Sequence, residues 1–502
     1  MLAFLGATAL GSTSVMSNAG ESVGFVADNV PLNALALVFS FAVFFAVIRF
    51  ARLNVSLRTI KWALFAFTAV SGFIWVAGAG AVPSADSGYV LNAARMMSEN
   101  DYAAMGEATT YAGSYLDYFG CFPYQFGIVF FYEALLRLVP FSALAPAPFI
   151  QLLNVLFLAG AYFFIVDIAR RLSGGERAAK ITAGLLLLCP QPLIFCTFTY
   201  GTVPGLFFGV LAIWAGLKFF DGGKIRHAAL SAAFSALAAT VKQNYLIFTV
   251  ALCIAAAFGM IAQKNAAKAV ICGVYALVSL ALAFALVKAV IFSYELRSGE
   301  TFGEGVPMSA WLAMGLGAKR DSDMAPGWFN YANIEIYVQA ERNGARAAKL
   351  AREEIKARAD YFIANPGEGS EFFRKKIASQ WNETSYQSIW NNQVRSAASD
   401  RRGVAAWVCG AGAGATKAYM DFAAQFVFAA AAAGAANFAL RGGEGGVARA
   451  ALFVIVTGGF LYHLLFEGKS QYILPYFILL IPVAGGGIDA LYGKLFPGKE
   501  RA

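Results

Sequence analysis

The residues of this chain most able to do chemistry are charged and amide side chains at the margins of long apolar runs. Asp86 follows the run that ends near residue 82, in VPSADSGYVLNAARMM. Lys242 ends a short apolar run and is followed at once by Gln243 and Asn244. Glu467, Lys469, Gln471 and Tyr472 crowd into one turn, HLLFEGKSQYILPY. A carboxylate in such a place can take a proton, and an ammonium flanked by amides can hold an oxyanion. Each also has a plain structural reading. Asp86 suits the N-cap of a helix, where a negative charge meets the favourable end of the dipole. Lys242 can snorkel to an interface, and a turn between two apolar segments needs polar residues in any case. His463 and Glu467 are four residues apart and share a helix face. With two histidines in the chain, a His-rich metal site is not available.

The elements that must position these groups follow from composition. Of the 502 residues, 59% are hydrophobic and only 14% charged. Soluble domains carry roughly 25% charged residues, and a soluble chain this apolar could not cover its surface with polar groups. Lipid is the solvent that fits, and it calls for apolar spans of about 20 residues. The net charge of +9 gathers in short loops between such spans and so does not point to nucleic acid. The six cysteines are scattered, and Cys189, Cys196, Cys253 and Cys272 lie in or beside apolar runs and read as small hydrophobes. Residues 1–20 are mildly apolar without a preceding basic residue, which makes a poor secretory signal.

The pattern predicts an all-α polytopic membrane protein with about eleven spans, near residues 32–50, 61–82, 148–169, 181–199, 203–220, 228–241, 245–262, 269–293, 418–440, 447–466 and 472–491. Basic residues cluster at Arg49–Lys61, Arg170–Lys180, Lys218–Arg226, Lys264–Lys268, Arg441–Arg449 and in the tail. Putting all of them in the cytoplasm gives one consistent threading of a plasma-membrane protein. The N-terminus is then outside and the C-terminus inside. The chain divides into an N-terminal outer segment 1–31, a membrane core 32–293 with an outer loop 83–147, an outer cap 294–417, and C-terminal spans with a short tail, 418–502. Residues 124–140 are apolar enough to span, but Glu133 and Arg137 and the orientation rule favour a helix lying at the interface. The cap carries Trp311, Trp328, Trp381 and Trp390, too many aromatics for a disordered linker. The Ala-rich stretch near 429–436 permits close helix packing.

Depth of the polar residues separates two function classes. Lys242, Lys288, Lys417, Asp421 and His463 lie towards outer ends of spans, Asp86, Glu467 and Lys469 just beyond them, with Asp167 the exception. A transporter concentrates polar groups near the bilayer midplane. A ring at the outer mouth suits a site at the lipid–water boundary. Asp86, Tyr89, Ala93 and Met97 have helical spacing, so a helix along the membrane surface begins near Asp86.

The order of these features resembles the membrane glycosyltransferases of the GT-C fold. More narrowly, it resembles bacterial relatives of the dolichyl-phosphate-mannose protein mannosyltransferases. The resembling pieces are ADSGYVLNAARMM, YFGCFPYQFGIVFFYEALLRL, ATVKQNYLI, SAWLAMGLG, KKIASQWNETSYQSIW and EGKSQYILPYF. The resemblance implies a polyprenyl-phosphate-linked sugar as donor, Asp86 as general base, and Lys242 as a ligand of the donor phosphate. Many relatives read Glu-x-Lys-x-Arg-Tyr in the late turn. Gln471 stands here in place of that Arg, which removes a bidentate phosphate ligand, and Lys469 is the substitute at hand. Tyr89, Tyr124, Gln125, Asn244, Trp311, His463, Glu467 and Tyr472 are the remaining candidates for the cavity wall.

The implied reaction is attack of an acceptor hydroxyl on the sugar with loss of the lipid phosphate. Phosphate leaves without protonation, so one carboxylate suffices, unlike glycoside hydrolysis. No cofactor is required, and a divalent cation is left open. The partners implied are the lipid-linked donor, an extracytoplasmic acceptor (glycan, protein or lipid) and the bilayer. Two rival readings are a transporter or flippase of lipid-linked sugars and a non-catalytic membrane protein of the same fold.

Overall fold

The computed structural model describes residues 1–17, 21–50, 55–138, 145–222, 224–262, 266–317, 324–441 and 446–497. The protein is an all-α polytopic membrane protein. By length and composition eight helices can cross a membrane, or ten if each of two bent pairs counts as one span. That count covers the described residues, against about eleven spans expected. All eleven segments contain helix, but Ile225–Val241, of 17 residues, falls short of the length of a span, and Glu176–Leu188 with Gln191–Thr197 is bent by 50°, while the helix in the tenth segment, Gly446–Leu465, has 20 residues. Pro190 and Pro192 account for the bend, because proline cannot continue the backbone ladder. In the second bent pair, Tyr115–Cys121 meets Pro123–Leu138 at 105°. The apolar stretch anticipated at 124–140 therefore follows a sharp corner, and its last two residues lie outside the described residues.

Ser470–Leu495 is the central post, with nearly every side chain buried. Val30–Phe50 is its opposite: Leu37 is the one buried residue of that helix. Leu32, Leu35, Val38, Phe39 and Val43 are exposed, as befits a helix that faces lipid. The post packs against the Ala-rich helix Ala413–Arg441. Added Cβ atoms show how closely. At Gly434 one would lie 2.2 Å from the Val483 carbonyl oxygen, and at Gly487 2.0 Å from that of Ala430. The absence of side chains at these crossings lets the two backbones touch.

At one end of the bundle, the loop from residue 80 and the Trp-rich segment build a cap. Asp86–Glu99 runs beside Phe126–Leu138, and the interface closes over Glu133. That buried carboxylate accepts bonds from Arg137 (3.0 Å), Arg297 (2.6 and 3.0 Å) and Tyr294 (2.5 Å). Elsewhere in the cap, Lys376 of the helix Pro366–Trp381 is fully buried. Its ammonium donates to the carbonyls of Gly315 (2.5 Å), Phe466 (2.8 Å) and Leu465 (3.3 Å). It ties the ends of Met308–Gly315 and of the last apolar hairpin to the cap, the favourable placement for a cation at helix C-termini.

Residues 1–17 and 21–31 are built into the fold rather than trailing from it. Leu2–Gly11 is a ten-residue helix. Ser12–Met16 and Val23–Ala27 then form an antiparallel hairpin. The Ser14 amide donates to the Asn382 carbonyl (3.0 Å), the Thr13 hydroxyl lies within hydrogen-bond reach of Asp28 (2.7 Å) and Asp421 (3.0 Å), and Ser22 bridges to Met324. The hairpin thus lies on the cap.

Gly487→Ala should lower the melting temperature in micelles, because one methyl forces two packed backbones apart at a cost of about 1–3 kcal/mol. Gly184→Ala, where an added Cβ meets nothing within 4 Å, should leave it unchanged or slightly raised. Equal effects would show that the contact between the post and the Ala-rich helix is loose.

Candidate active site

Asp86 is placed by an unusual piece of backbone. Ala85 before it has φ 47° and ψ −139°, a region that residues other than glycine seldom enter. Ala85, not Asp86, is the N-cap, which corrects the expectation of a capping carboxylate. Asp86 is the first helical residue, still at the positive end of the dipole, and its side chain turns to two tyrosines. Oδ1 accepts from Tyr111 (3.0 Å) and Tyr118 (3.1 Å). Oδ2 has no partner among the described residues. Tyr111 comes from the small turn 109–114, and Tyr118 from Tyr115–Cys121, whose start is fixed by a capping box of Ser114 and Asp117. Surrounding protein strips water from Asp86 and raises its pKa above the usual carboxylate value. The two tyrosines and the Lys469 charge pull the other way, and Glu21 adds to the rise.

Lys242 stands in the break between Ile225–Val241 and the next helical turn. Its extended backbone, φ −155° and ψ 116°, ends the first helix, and the turn Gln243–Tyr245 leads into the next, Leu246–Ala262. The ammonium donates to the Thr202 hydroxyl (3.0 Å) and lies over the rings of Tyr200 (4.7 Å) and Tyr472 (5.0 Å). Gly201 allows this approach: a Cβ there would sit 2.3 Å from the Val241 carbonyl oxygen.

The turn after Leu465 brings the third group of charges. Lys469 pairs with Glu21 of the N-terminal hairpin. Glu467 accepts from the Tyr472 hydroxyl (3.2 Å). Burial pushes the Glu467 carboxyl up to about 7, against the opposing pull of Lys469 and of the Tyr472 bond. Burial draws Lys469 down, but Glu21 and Glu467 outweigh it and hold its pKa above the usual lysine value.

These groups line one cavity of about 500 Å³. Of the residues expected in or near a site, Asp86, Tyr124, Gln125, Lys242, Asn244, Trp311, Glu467, Lys469, Gln471 and Tyr472 all border it. Tyr89 and His463 do not. Tyr89 packs behind the wall against Tyr111, Tyr115 and Tyr118. His463 is fully buried, donates Nδ1–H to the Glu467 carbonyl (2.9 Å), and stacks on Tyr472. Both shape the wall from outside it. Gln471 borders the cavity and a small adjoining recess, and its Oε1 is buried without a partner among the described residues.

Glu21, Tyr111, Tyr118, Trp390, Asn391 and Arg395 are among the bordering residues that sequence reasoning did not assign to the site. Glu21 is the one charged residue of the first 27, and that isolation was the available signal. Arg395 ends the short helix Ser388–Arg395 and donates to the Ser84 carbonyl (2.7 Å), the Ser84 hydroxyl (3.0 Å) and the Ser87 hydroxyl (2.7 Å). It steadies the segment that carries Asp86. Burial lowers it to about 10, which leaves it a cation at neutral pH.

No family model and no curated protein matches the chain. Among solved structures it is similar to the crystal structure of ArnT from Cupriavidus metallidurans bound to undecaprenyl phosphate, at 12% identity, over 85% of this chain and 77% of that one, with a TM-score of 0.35. A score that low establishes neither a shared fold nor a shared activity.

Infrared difference spectra should show a carboxyl band, lost in Asp86→Asn, that titrates above the ordinary range. Tyr111→Phe should move it to still higher pH, because the hydrogen bond it removes favours the charged form. A band that stays put or moves to lower pH would detach Asp86 from Tyr111.

Proposed function

We propose that the protein is a GT-C-type membrane glycosyltransferase that moves a sugar from a polyprenyl-phosphate donor to an acceptor hydroxyl at the outer face of the membrane. The observation that carries the reading is the cavity itself, bordered at once by Asp86 with a free oxygen and by Lys242 and Lys469. The orientation rule applied to the short basic loops supports a cap on the outer side.

In this reading the acceptor hydroxyl attacks the anomeric carbon as the bond from that carbon to the phosphate oxygen breaks. Oδ2 of Asp86 takes the hydroxyl proton. A base is most effective when its pKa lies near the working pH, and burial moves Asp86 in that direction. The bonds from Tyr111 and Tyr118 keep its free oxygen facing the cavity. Charge that grows on the departing phosphate is met by the ammonium groups of Lys242 and Lys469, fixed in place before the reaction begins. Gln471, with Asn244, offers amides to the same phosphate where an arginine stands in many proteins of this kind. Tyr124, Gln125, Trp311 and Tyr472 supply apolar faces and hydrogen bonds for a sugar ring. The lipid tail leaves the cavity towards the bilayer.

Asp86→Asn should cut transfer by about 10²–10⁴-fold while the protein still binds polyprenyl phosphate. Lys242→Met should weaken that binding by about 10- to 100-fold, the loss of one charge-assisted bond. Full transfer by Asp86→Asn would remove the base from the mechanism. A pH effect also follows. Below about 7 Glu467 becomes neutral and ceases to repel an incoming phosphate, so binding should tighten as pH falls through that value. Glu467→Gln should flatten the part of the profile that belongs to the protein; an unchanged profile would place Glu467 away from the phosphate.

A further inference from the structure

Near Arg395 the cavity is bordered by residues that carry three N–H groups without a partner among the described residues. In Arg395, Nη1 serves Ser84 and Ser87, and Nε donates to Asn391 Oδ1 at 3.2 Å. The guanidinium carbon lies 4.7 Å from the centre of the Phe198 ring. Nη2 has no acceptor among the described residues. The Nε contact fixes the amide of Asn391, since only its oxygen can accept. Its Nδ2 is then buried without a partner, and so is Nε1 of Trp390. Asn391 and Trp390 are 2% and 8% exposed, and both border the cavity. Buried N–H groups left unpaired cost about 1–3 kcal/mol each, a cost that an acceptor brought by a ligand, a water or an ion would remove.

All three unpartnered groups are donors, and one belongs to a cation. The matching ligand is an oxyanion rather than a neutral hydroxyl, which would ask for acceptors as well. Arg395 is anchored to Ser84 and Ser87, which flank Asp86 in the chain, whereas Lys242 is anchored to Thr202 and lies over Tyr200 and Tyr472. The Arg395 group thus holds the segment that carries the base, through contacts that Lys242 does not share. If the donor phosphate is held by Lys242, the Arg395 group is the one left beside the base for the acceptor.

We infer that Arg395, Asn391 and Trp390 form the acceptor subsite, and that the acceptor carries a phosphate or carboxylate group close to the hydroxyl that receives the sugar. The word acceptor rests on the glycosyltransferase reading; the oxyanion site does not.

The test uses the full-length protein in nanodiscs of phosphatidylcholine, with a short-chain polyprenyl phosphate already at saturation. Glycerol 1-phosphate and galacturonate are titrated calorimetrically beside uncharged glycerol and galactose, which separates a phosphate from a carboxylate as the preferred group. At least one anionic probe should bind and the neutral ones should not. Asn391→Asp keeps the shape and the oxygen that serves Arg395 but replaces the free donor by a negative oxygen. It should weaken the anionic probe by about tenfold or more and leave polyprenyl phosphate binding intact. Trp390→Phe, which keeps the ring and loses the N–H, should weaken the probe by a smaller factor. The inference is overturned if anionic probes bind no better than neutral ones, if Asn391→Asp leaves the probe unaffected, or if it weakens polyprenyl phosphate equally. Failure of polyprenyl phosphate to bind, with the Asn391-dependent anion site intact, would instead overturn the transferase reading alone.

Discussion

Charges that leave bulk water for the rim of a membrane bundle must find partners in protein, and that requirement organises the cap end of this chain. Three carboxylates (Glu21, Asp86 and Glu467) and three cations (Lys242, Lys469 and Arg395) border one cavity. An isolated charge there would be neutralised or excluded by its desolvation cost. Equal in number and opposite in sign, the six share a space of about 500 Å³. Tyrosine hydroxyls on Asp86 and Glu467 and a serine cluster on Arg395 supply the remaining hydrogen bonds. A ligand phosphate entering such a site exchanges one set of partners for another rather than meeting a bare positive hole.

Local backbone departs from helix at two points for this convergence. Ala85 holds a positive φ next to the base, a strained conformation of the kind often found at functional sites. Lys242 interrupts the helical run in ordinary extended backbone. Lys376 performs the matching task from the cap. One buried ammonium gathers three carbonyls at the ends of two other segments, and Gln380 adds a bond to the His463 carbonyl at 3.0 Å. The turn bearing Glu467 and Lys469 is thus held from above, so its two charges meet the cavity and not the solvent.

Much of this was legible in the sequence, and for a definite reason. Apolar runs of membrane length and charges at their margins are local signals, and they marked Asp86, Lys242 and the Glu467–Tyr472 turn. The bent helices were less legible: the 105° corner at Pro123 depends on what packs against it, so residues 124–140 could be read as spanning or interfacial. Glu21 and Arg395 were beyond local reading. Each reaches the cavity through contacts hundreds of residues away, the first by a hairpin stitched to the cap and the second through Ser84 and Ser87. Tyr89 and His463 show the reverse error. Helical spacing put them on the right faces, but the neighbouring aromatic rings fill the space between them and the cavity.

The most direct measurement is an electron cryomicroscopy structure of the protein in nanodiscs loaded with polyprenyl phosphate. The account predicts headgroup density within hydrogen-bond reach of the Lys242 and Lys469 ammonium groups, the prenyl chain running out towards lipid, and Asp86 Oδ2 open beside it. A headgroup bound elsewhere on the bundle, with this cavity vacant, would contradict it.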